Sequence, residues 1–482
     1  MADTDAFAAS TRVPGTYVRY DVSRAGRALG TGEQRLLIIA QRLSTGSVPA
    51  LTPVDIFSAD EAAVAFGRGS QAHRMVDKAI SANGNLQLSV CALDDDVSGV
   101  AASGAAIIEG TATTSGRVRL RIGDIQVTTA ITLGAKAADV MAHLVAAIGE
   151  VPNLPVMAKV DTAVTGKGHD NHDIKTPAIV LTARHKGTCG NEIGVVLAVD
   201  ALGLTGKVNA MKDGRGDPKV ETALSAVFSA GHTLLAVPYS DSGSLGKVST
   251  HLDKVSGPVE QRAAIAVAGV RGTLSEGTTL TNAVNAGRIT VGWHKNSVLT
   301  CGEMAAVYAA VIAAQGDPSE PMDNAVLPGM DVTAQSDWPM RTEEENALHN
   351  GLTPFRVLGT RVQVVRAIST YVKNAASVED ATLLDITTLR TLDAVRVAWR
   401  TRMSQRYPNG GKLTDARLRS IRSETLDVLY ALQELDMVEH IDRYKSQVTV
   451  VRNARDDTRA DVAIPAPVVR GLHILTGTVY LY

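Results

Sequence analysis

The chain has 482 residues, 45% of them hydrophobic and 20% charged, with 48 Lys and Arg against 50 Asp and Glu. So even a balance excludes a protein whose whole surface neutralises phosphates, and the length suggests about three domains. Cys91, Cys189 and Cys301 lie too far apart for a disulfide framework or a clustered zinc site. No apolar run reaches the ~20 residues a bilayer needs, and no apolar signal segment follows Met1.

Polar residues lead to Val13-Pro14-Gly15 and then to Thr16–Val22, where Tyr17, Val18, Tyr20 and Val22 favour a strand with no local hairpin partner. Residues 35–40 read as a buried strand. Ser58 followed by Glu61 is a capping box opening a helix that stops at Gly67. Ser70 caps a second helix, ended by Asn83-Gly84, and 86–93 read as another strand. After Asp94-Asp95-Asp96 the texture changes. Short β-rich runs (116–122, 177–183) surround one Ala-rich helix at about 136–148, which predicts an inserted α+β domain over 97–205.

From 232 strands and helices alternate: strand 233–237, helix 244–254, strand 263–270, helix 279–286, strand 288–293, helix 303–314. That order predicts a parallel sheet with right-handed crossovers. Thr342 with Glu345 reads as a further capping box, its helix ending at Asn350-Gly351. A strand at 361–366 precedes two long helices. One carries Leu389, Leu392, Val395, Trp399 and Met403 on one face; the other carries Leu418, Ile421, Val428, Leu429, Leu432 and Leu435. Residues 447–451 and 472–482 are β-rich, so a strand-like extension stands at each end of the chain.

Catalytic motifs are missing: there is no Gly-x-Ser-x-Gly, His-Glu-x-x-His, Walker A or EF-hand pattern. Gly67-Arg68-Gly69 follows a helix where a dinucleotide fingerprint would follow a strand. His169-Asp170-Asn171-His172-Asp173 offers imidazoles three apart, but a metal site needs further ligands and the segment reads as a solvated loop. His232, Asp241 and Ser242 are near in sequence, which does not make a triad. His185 and Cys189 sit in a glycine-rich turn. One charge feature stands out. Arg390, Arg396, Arg400, Arg402, Arg406, Lys412, Arg417, Arg419 and Arg422 face only Asp385, Asp393 and Asp415 between residues 383 and 422. Such a run is a solvated helix face or a docking surface for an acidic partner.

Several blocks, in order along nearly the whole chain, carry a resemblance. They are residues 13–18, 57–61 with 66–70, 93–95, 182–188 before Gly190-Asn191, the dense run 341–354, 387–393, and 463–465 with 471–473. In these the chain resembles the tail sheath proteins of contractile-tailed phages, the Mu-like group in particular. The resemblance implies a structural subunit and not an enzyme, without a cofactor. Such subunits stack as hexameric rings on a tail tube and contract to drive it through the host envelope. The implied fold is multidomain α/β and α+β. An N-terminal arm (1–22) precedes the first part of the core (23–96) and the outward inserted domain (97–205). A subtilisin-like α/β domain (206–341), a tube-facing C-terminal α+β domain (342–446) and a C-terminal arm (447–482) follow.

The resemblance also implies roles for residues. The arms would add strands to neighbouring subunits through Thr16, Tyr17, Val18, Tyr20, Val22, Val448, Val450, Val451, Val479 and Leu481. Arg396, Arg400, Arg402 and Arg406 would face the tube. Implied partners are further copies of the chain, the tube, baseplate and tail terminator proteins, with no membrane insertion and no nucleic acid. Implied localisation is the virion tail, after assembly in the host cytoplasm. The sheath of a headless phage-tail bacteriocin or secretion apparatus is the alternative within this class; a cytoplasmic α/β hydrolase is the alternative outside it.

Overall fold

A computed structural model describes residues 34–161 and 177–481, together with the backbone of 165–167 and 173–175. Strand β1 (Arg35–Gln41) is buried from Leu36 onward. Strand β2 (Pro53–Asp55) follows, then α1 (Ala59–Phe66), α2 (Gln71–Ala82) and β3 (Gln87–Leu93). Both expected caps form: Ser58 accepts from the Glu61 amide and Ser70 from that of His73. Gly67 ends α1 at φ 89°, a conformation that a side chain would strain. β2 was not expected. It is three residues long, begins with proline, and pairs antiparallel with β3 at the sheet edge.

The chain then builds β4 (Ala101–Gly110), β5 (Gly116–Ile122), β6 (Ile125–Ile131), α3 (Ala137–Gly149), β7 (Val156–Asp161), β8 (Thr165–Lys167), β9 (Asp173–Lys175), β10 (Ala178–Lys186), β11 (Val195–Val199) and β12 (Leu204–Lys212). They form sheets ordered β12-β4-β10-β7 and β11-β5-β6 and a β8-β9 ribbon. On β5 buried Val118, Leu120 and Ile122 alternate with exposed Arg117, Arg119 and Arg121. This is the period of an antiparallel sheet with one wet face. β12 continues to Lys212, beyond the expected boundary at 205, because it pairs with β4 along most of its length.

The second part of the core contains α4 (Val220–Ala226), β13 (Leu234–Ala236), α5 (Ser242–Ser256), β14 (Ile265–Val270), α6 (Leu274–Val284), β15 (Ile289–Trp293), α7 (Cys301–Ala314), α8 (Arg341–His349), β16 (Thr353–Leu358) and β17 (Arg361–Val364). It completes an eight-stranded sheet ordered β17-β16-β15-β14-β13-β1-β3-β2. All neighbours pair in parallel except at the two edges, β2 and β17. Leu36, Ile38 and Ala40 pack with α1, α2 and α7 on one face. Leu37 and Ile39 pack with α4 and α5 on the other. A strand buried on both sides reads as one apolar run, as β1 does. The expected Thr342 cap is corrected: the cap position is Met340, two residues earlier, and Glu343 reaches back to the Met340 amide at 2.8 Å. Methionine has no oxygen to return that bond.

Two compact units result among the described residues. One comprises 34–393 with 468–481, the other 394–467. The expected boundaries at 341/342 and 446/447 coincide with neither break, because α8, β16 and β17 belong to the large sheet's unit. The first break falls inside α9 (Ile386–Arg406). The smaller unit continues with α10 (Asp415–Glu434), α11 (Ile441–Tyr444) and the antiparallel hairpin of β18 (Thr449–Arg452) and β19 (Ala460–Ala463). Val395, Ala398, Val428, Leu429, Leu432, Met437, Val438, Ile441 and Val448 form its core. Among the described residues no helix is long and apolar enough to cross a membrane.

Candidate functional site

Parallel order reverses between β1 and β13, where open α/β sheets hold their ligands. In this chain the inserted segment fills that position. Gln41, the last residue of β1, donates to Asp95 Oδ1 and to the Lys186 carbonyl, both at 2.8 Å. Its Oε1 faces the Cys189 thiol at 3.2 Å. His185 Nδ1 faces Asp95 Oδ1 at 3.0 Å, and its Nε2 accepts from the Gln71 amide at 3.0 Å. An Nε2 that accepts leaves the proton on Nδ1, directed at the carboxylate. Burial opposes ionisation of Asp95, but hydrogen bonds from His185, Lys186 and Gln41 outweigh it and hold the carboxyl below its usual range.

Asp95, His185 and Cys189 are therefore the residue types of a thiol-nucleophile triad in an arrangement that cannot act as one. The outer imidazole nitrogen is occupied by a backbone amide. Burial, reinforced by the carboxylates of Glu192, Asp217 and Asp95, pushes the Cys189 thiol well above its usual value. Activation needs the opposite shift. The cavity bordered by Gln71, His185, Cys189 and Glu303 measures about 30 Å³, room for a water and far below a substrate pocket.

Charges tie the same junction together. Arg74 on α2 meets Glu303 at 2.6 Å and Asp124, on the turn between β5 and β6, at 2.9 Å; Lys78 meets Asp124 at 2.5 Å. Burial opposes ionisation of Asp124, yet Arg74 and Lys78 lower it to about 2. Glu192 accepts from the Cys301 amide at the start of α7 at 2.7 Å, while burial lifts its carboxyl to about 7.

The other sequence candidates are not brought together. His232 precedes β13 and Asp241 and Ser242 follow it, so they stand at opposite strand ends. Asp241 caps α5 through the Ser244 amide, and burial followed by Arg35 lowers His232 to about 4. His169, Asp170 and His172 lie outside the described residues, as do Thr16, Tyr17, Val18, Tyr20 and Val22. Among the described residues no group of three or more His, Cys, Asp or Glu is arranged to hold a metal. All three cysteines are free.

At the C-terminal end, Leu472, Ile474, Leu475, Val479, Tyr480 and Leu481 are exposed, Val479 and Leu481 almost completely, and residues 469–481 form no helix or strand. Val448 corrects the expectation for an arm residue: it is 1% exposed and belongs to the core of its own unit. Val450 and Val451 pair with Val462 and Asp461 of the same chain.

The basic run is also not what its spacing suggested. Arg402 and Arg406 converge on Glu424 of α10, at 2.8 and 3.0 Å, so they are not free surface charges. Arg390 is buried. It donates to Gln315 and the Ile312 carbonyl at the end of α7, and burial lowers its guanidinium to about 10. Arg417 lies over the Tyr407 ring, and Arg422 donates to the Val448 and Lys445 carbonyls.

Two family models match this chain: the phage tail sheath protein central domain over residues 213–370 and the phage tail sheath C-terminal domain over 378–482. The chain belongs to the phage tail sheath family. It is 29% identical over 469 residues to the Mu-like prophage FluMu tail sheath protein of Haemophilus influenzae, covering 94% of this chain and 93% of that one. Its fold is similar to the sheath tail protein of Desulfitobacterium hafniense, with a TM-score of 0.51 at 14% identity over 95% of this chain and 97% of the other. This is a structural protein of the phage tail, and a sheath subunit's working surfaces are those it offers to further copies. The exposed C-terminal segment is the apolar surface this chain leaves open. Sequence reasoning missed the junction of Gln41, Asp95, His185 and Cys189, because no spacing rule joins Gln41 to Asp95, 54 residues on, or Asp95 to His185, 90 residues on.

Proposed function

We propose that this sheath subunit polymerises as stacked hexameric rings around a tail tube and contracts to drive the tube through the host envelope. The observation that carries the reading is the C-terminal segment. Its apolar side chains are exposed although keeping each in water costs ~25 cal/mol per Å². A second copy that receives the segment as a strand would bury those side chains and pair its backbone. Among the described residues the β18–β19 ribbon has two strands, and its edges are the proposed receivers. Thr16–Val22 is the second donor in this reading, while Val450 and Val451 belong to the receiving ribbon and Val479 and Leu481 to the donated strand.

Contraction energy would come from two packings of the same subunits, since no nucleotide motif is present. Arg396, Arg400, Arg402 and Arg406 of α9 are proposed to meet acidic tube residues, the last two by sharing or leaving Glu424. Exposed pairs of ~0–1 kcal/mol each suit a contact that must break. A catalytic role is disfavoured by the filled sheet crevice. Assembly in the host cytoplasm onto baseplate and terminator proteins completes the reading, and it serves an intact phage or a headless particle alike.

Negative-stain electron microscopy of the full chain beside a chain lacking residues 1–22 tests it. Hollow cylinders from the first and none from the second are expected, with contraction needing no ATP or GTP. Globular particles from both, even with tube protein added, would refute it.

A further inference from the structure

The C-terminal segment changes character abruptly at His473. Its Nδ1 meets Asp323 Oδ2 at 2.7 Å, and its Nε2 lies 3.7 Å from Asp385 Oδ1. Asp385 is itself held by Arg366 through two bonds of 2.9 Å. The three side chains meeting there (His473, Asp323 and Asp385) are at most 22% exposed. Just before it, Gly471 presses on Pro321: a Cβ on the glycine would fall 2.5 Å from Pro321 Cγ and 2.9 Å from His473 Nε2. From Ile474 onward every described residue is exposed.

We propose that His473 is a releasable latch that fixes where the free C-terminal arm begins, and that opening it adds residues 468–473 to the arm. The proposal rests on the arm reading above. Two features make the clasp releasable. Asp323 Oδ1 and His473 Nε2 are buried without a hydrogen-bond partner, so the closed state leaves polar capacity unused that water would satisfy on opening. At 3.7 Å the Nε2–Asp385 contact is too long for a hydrogen bond, so the single bond to Asp323 is all the imidazole must break. Six further residues at ~3.3 Å each would extend the arm's reach by about 20 Å. A subunit in a lattice with two packings could thereby keep its arm in a neighbour while the distance between them changes.

The test is trypsin cleavage after Arg470 in the full chain, with cleavage after exposed Arg419 and Arg455 as the internal reference. Local opening governs such cleavage when reclosing is fast. His473→Ala is expected to accelerate the cut at Arg470 at least tenfold with the reference cuts unchanged. Gly471→Ala, which alters no charge, is expected to do the same by forcing the segment off Pro321. Wild-type rates at Arg470 in both variants would overturn the latch. A chain lacking 474–482 separates the two readings: if it still builds cylinders, the arm reading fails, whereas the Arg470 rates report on the latch in either case.

Discussion

The junction around β1 and the C-terminal segment answer the same physical demand in opposite ways. At the junction, residues from β1, α2, the inserted segment and α7 saturate one another: Gln41 with Asp95 and Lys186, His185 with Gln71, Arg74 with Glu303 and Asp124. At the segment, apolar side chains are left in water, and residues 469–481 join no strand among the described residues. The first region is complete in one chain; the second, in the proposed reading, is completed by another. A subunit built to polymerise needs both, because a lattice transmits force only through members that do not deform.

The comparison breaks if the junction tolerates loss of a partner. Arg74→Ala strands Glu303, which is 1% exposed, and leaves Asp124 with Lys78 alone. The expected cost is about 3–5 kcal/mol, read as a drop in the urea midpoint, since removing one side of a buried pair leaves an uncompensated charge. Leu429→Ala in the smaller unit, 1% exposed against Val448 and Leu432, is expected to cost about 3 kcal/mol on the same measurement.

Glu192 sharpens it with pH. Its carboxyl titrates at about 7 in the folded chain against an ordinary 4.5. The folded chain thus binds more protons between those values, so this group's contribution is full below 4.5 and is lost as pH rises through 7. Glu192→Gln keeps an acceptor for the Cys301 amide and removes the ionisation. It is expected to stabilise the chain at pH 8 by about 1–3 kcal/mol and to leave it unchanged at pH 4. Equal pH dependence in the two proteins, followed by thermal unfolding, would refute the assignment.

Legibility in the sequence followed the range of the forces involved. Ser58 and Ser70 act on amides three residues away, and β5 alternates because one of its faces is wet; both signals are local and both were readable. β16 was not, since its Pro354 argues against a strand and only its pairing with β15 makes room for it. The basic run misled for a related reason. Glu424, which takes Arg402 and Arg406, lies on the next helix just past the run, and the run's own Asp385 and Asp393 are held by Arg366 and Arg288 from outside it. Arg390 looked like a surface charge because nothing in the sequence places the end of α7 beside it. The apolar terminal segment is legible in the sequence, but its residues 469–481 form no strand in the described chain.

The smallest expected change in stability carries the largest change in behaviour. Leu475→Asp and Leu481→Asp replace apolar side chains that touch almost nothing in their own subunit, Leu481 being fully exposed. Their effect on the urea midpoint is expected to stay within about 0.5 kcal/mol, as for surface substitutions generally. If the segment is buried in a neighbour, each variant must then place a carboxylate in that contact, where an unpaired charge is costly. Cylinders seen by electron microscopy are expected to vanish while the monomer unfolds as before. Cylinders that persist in both variants would mean that the segment's apolar residues stay in water in the assembly too, and the contrast between a self-contained junction and an incomplete end would lose its meaning.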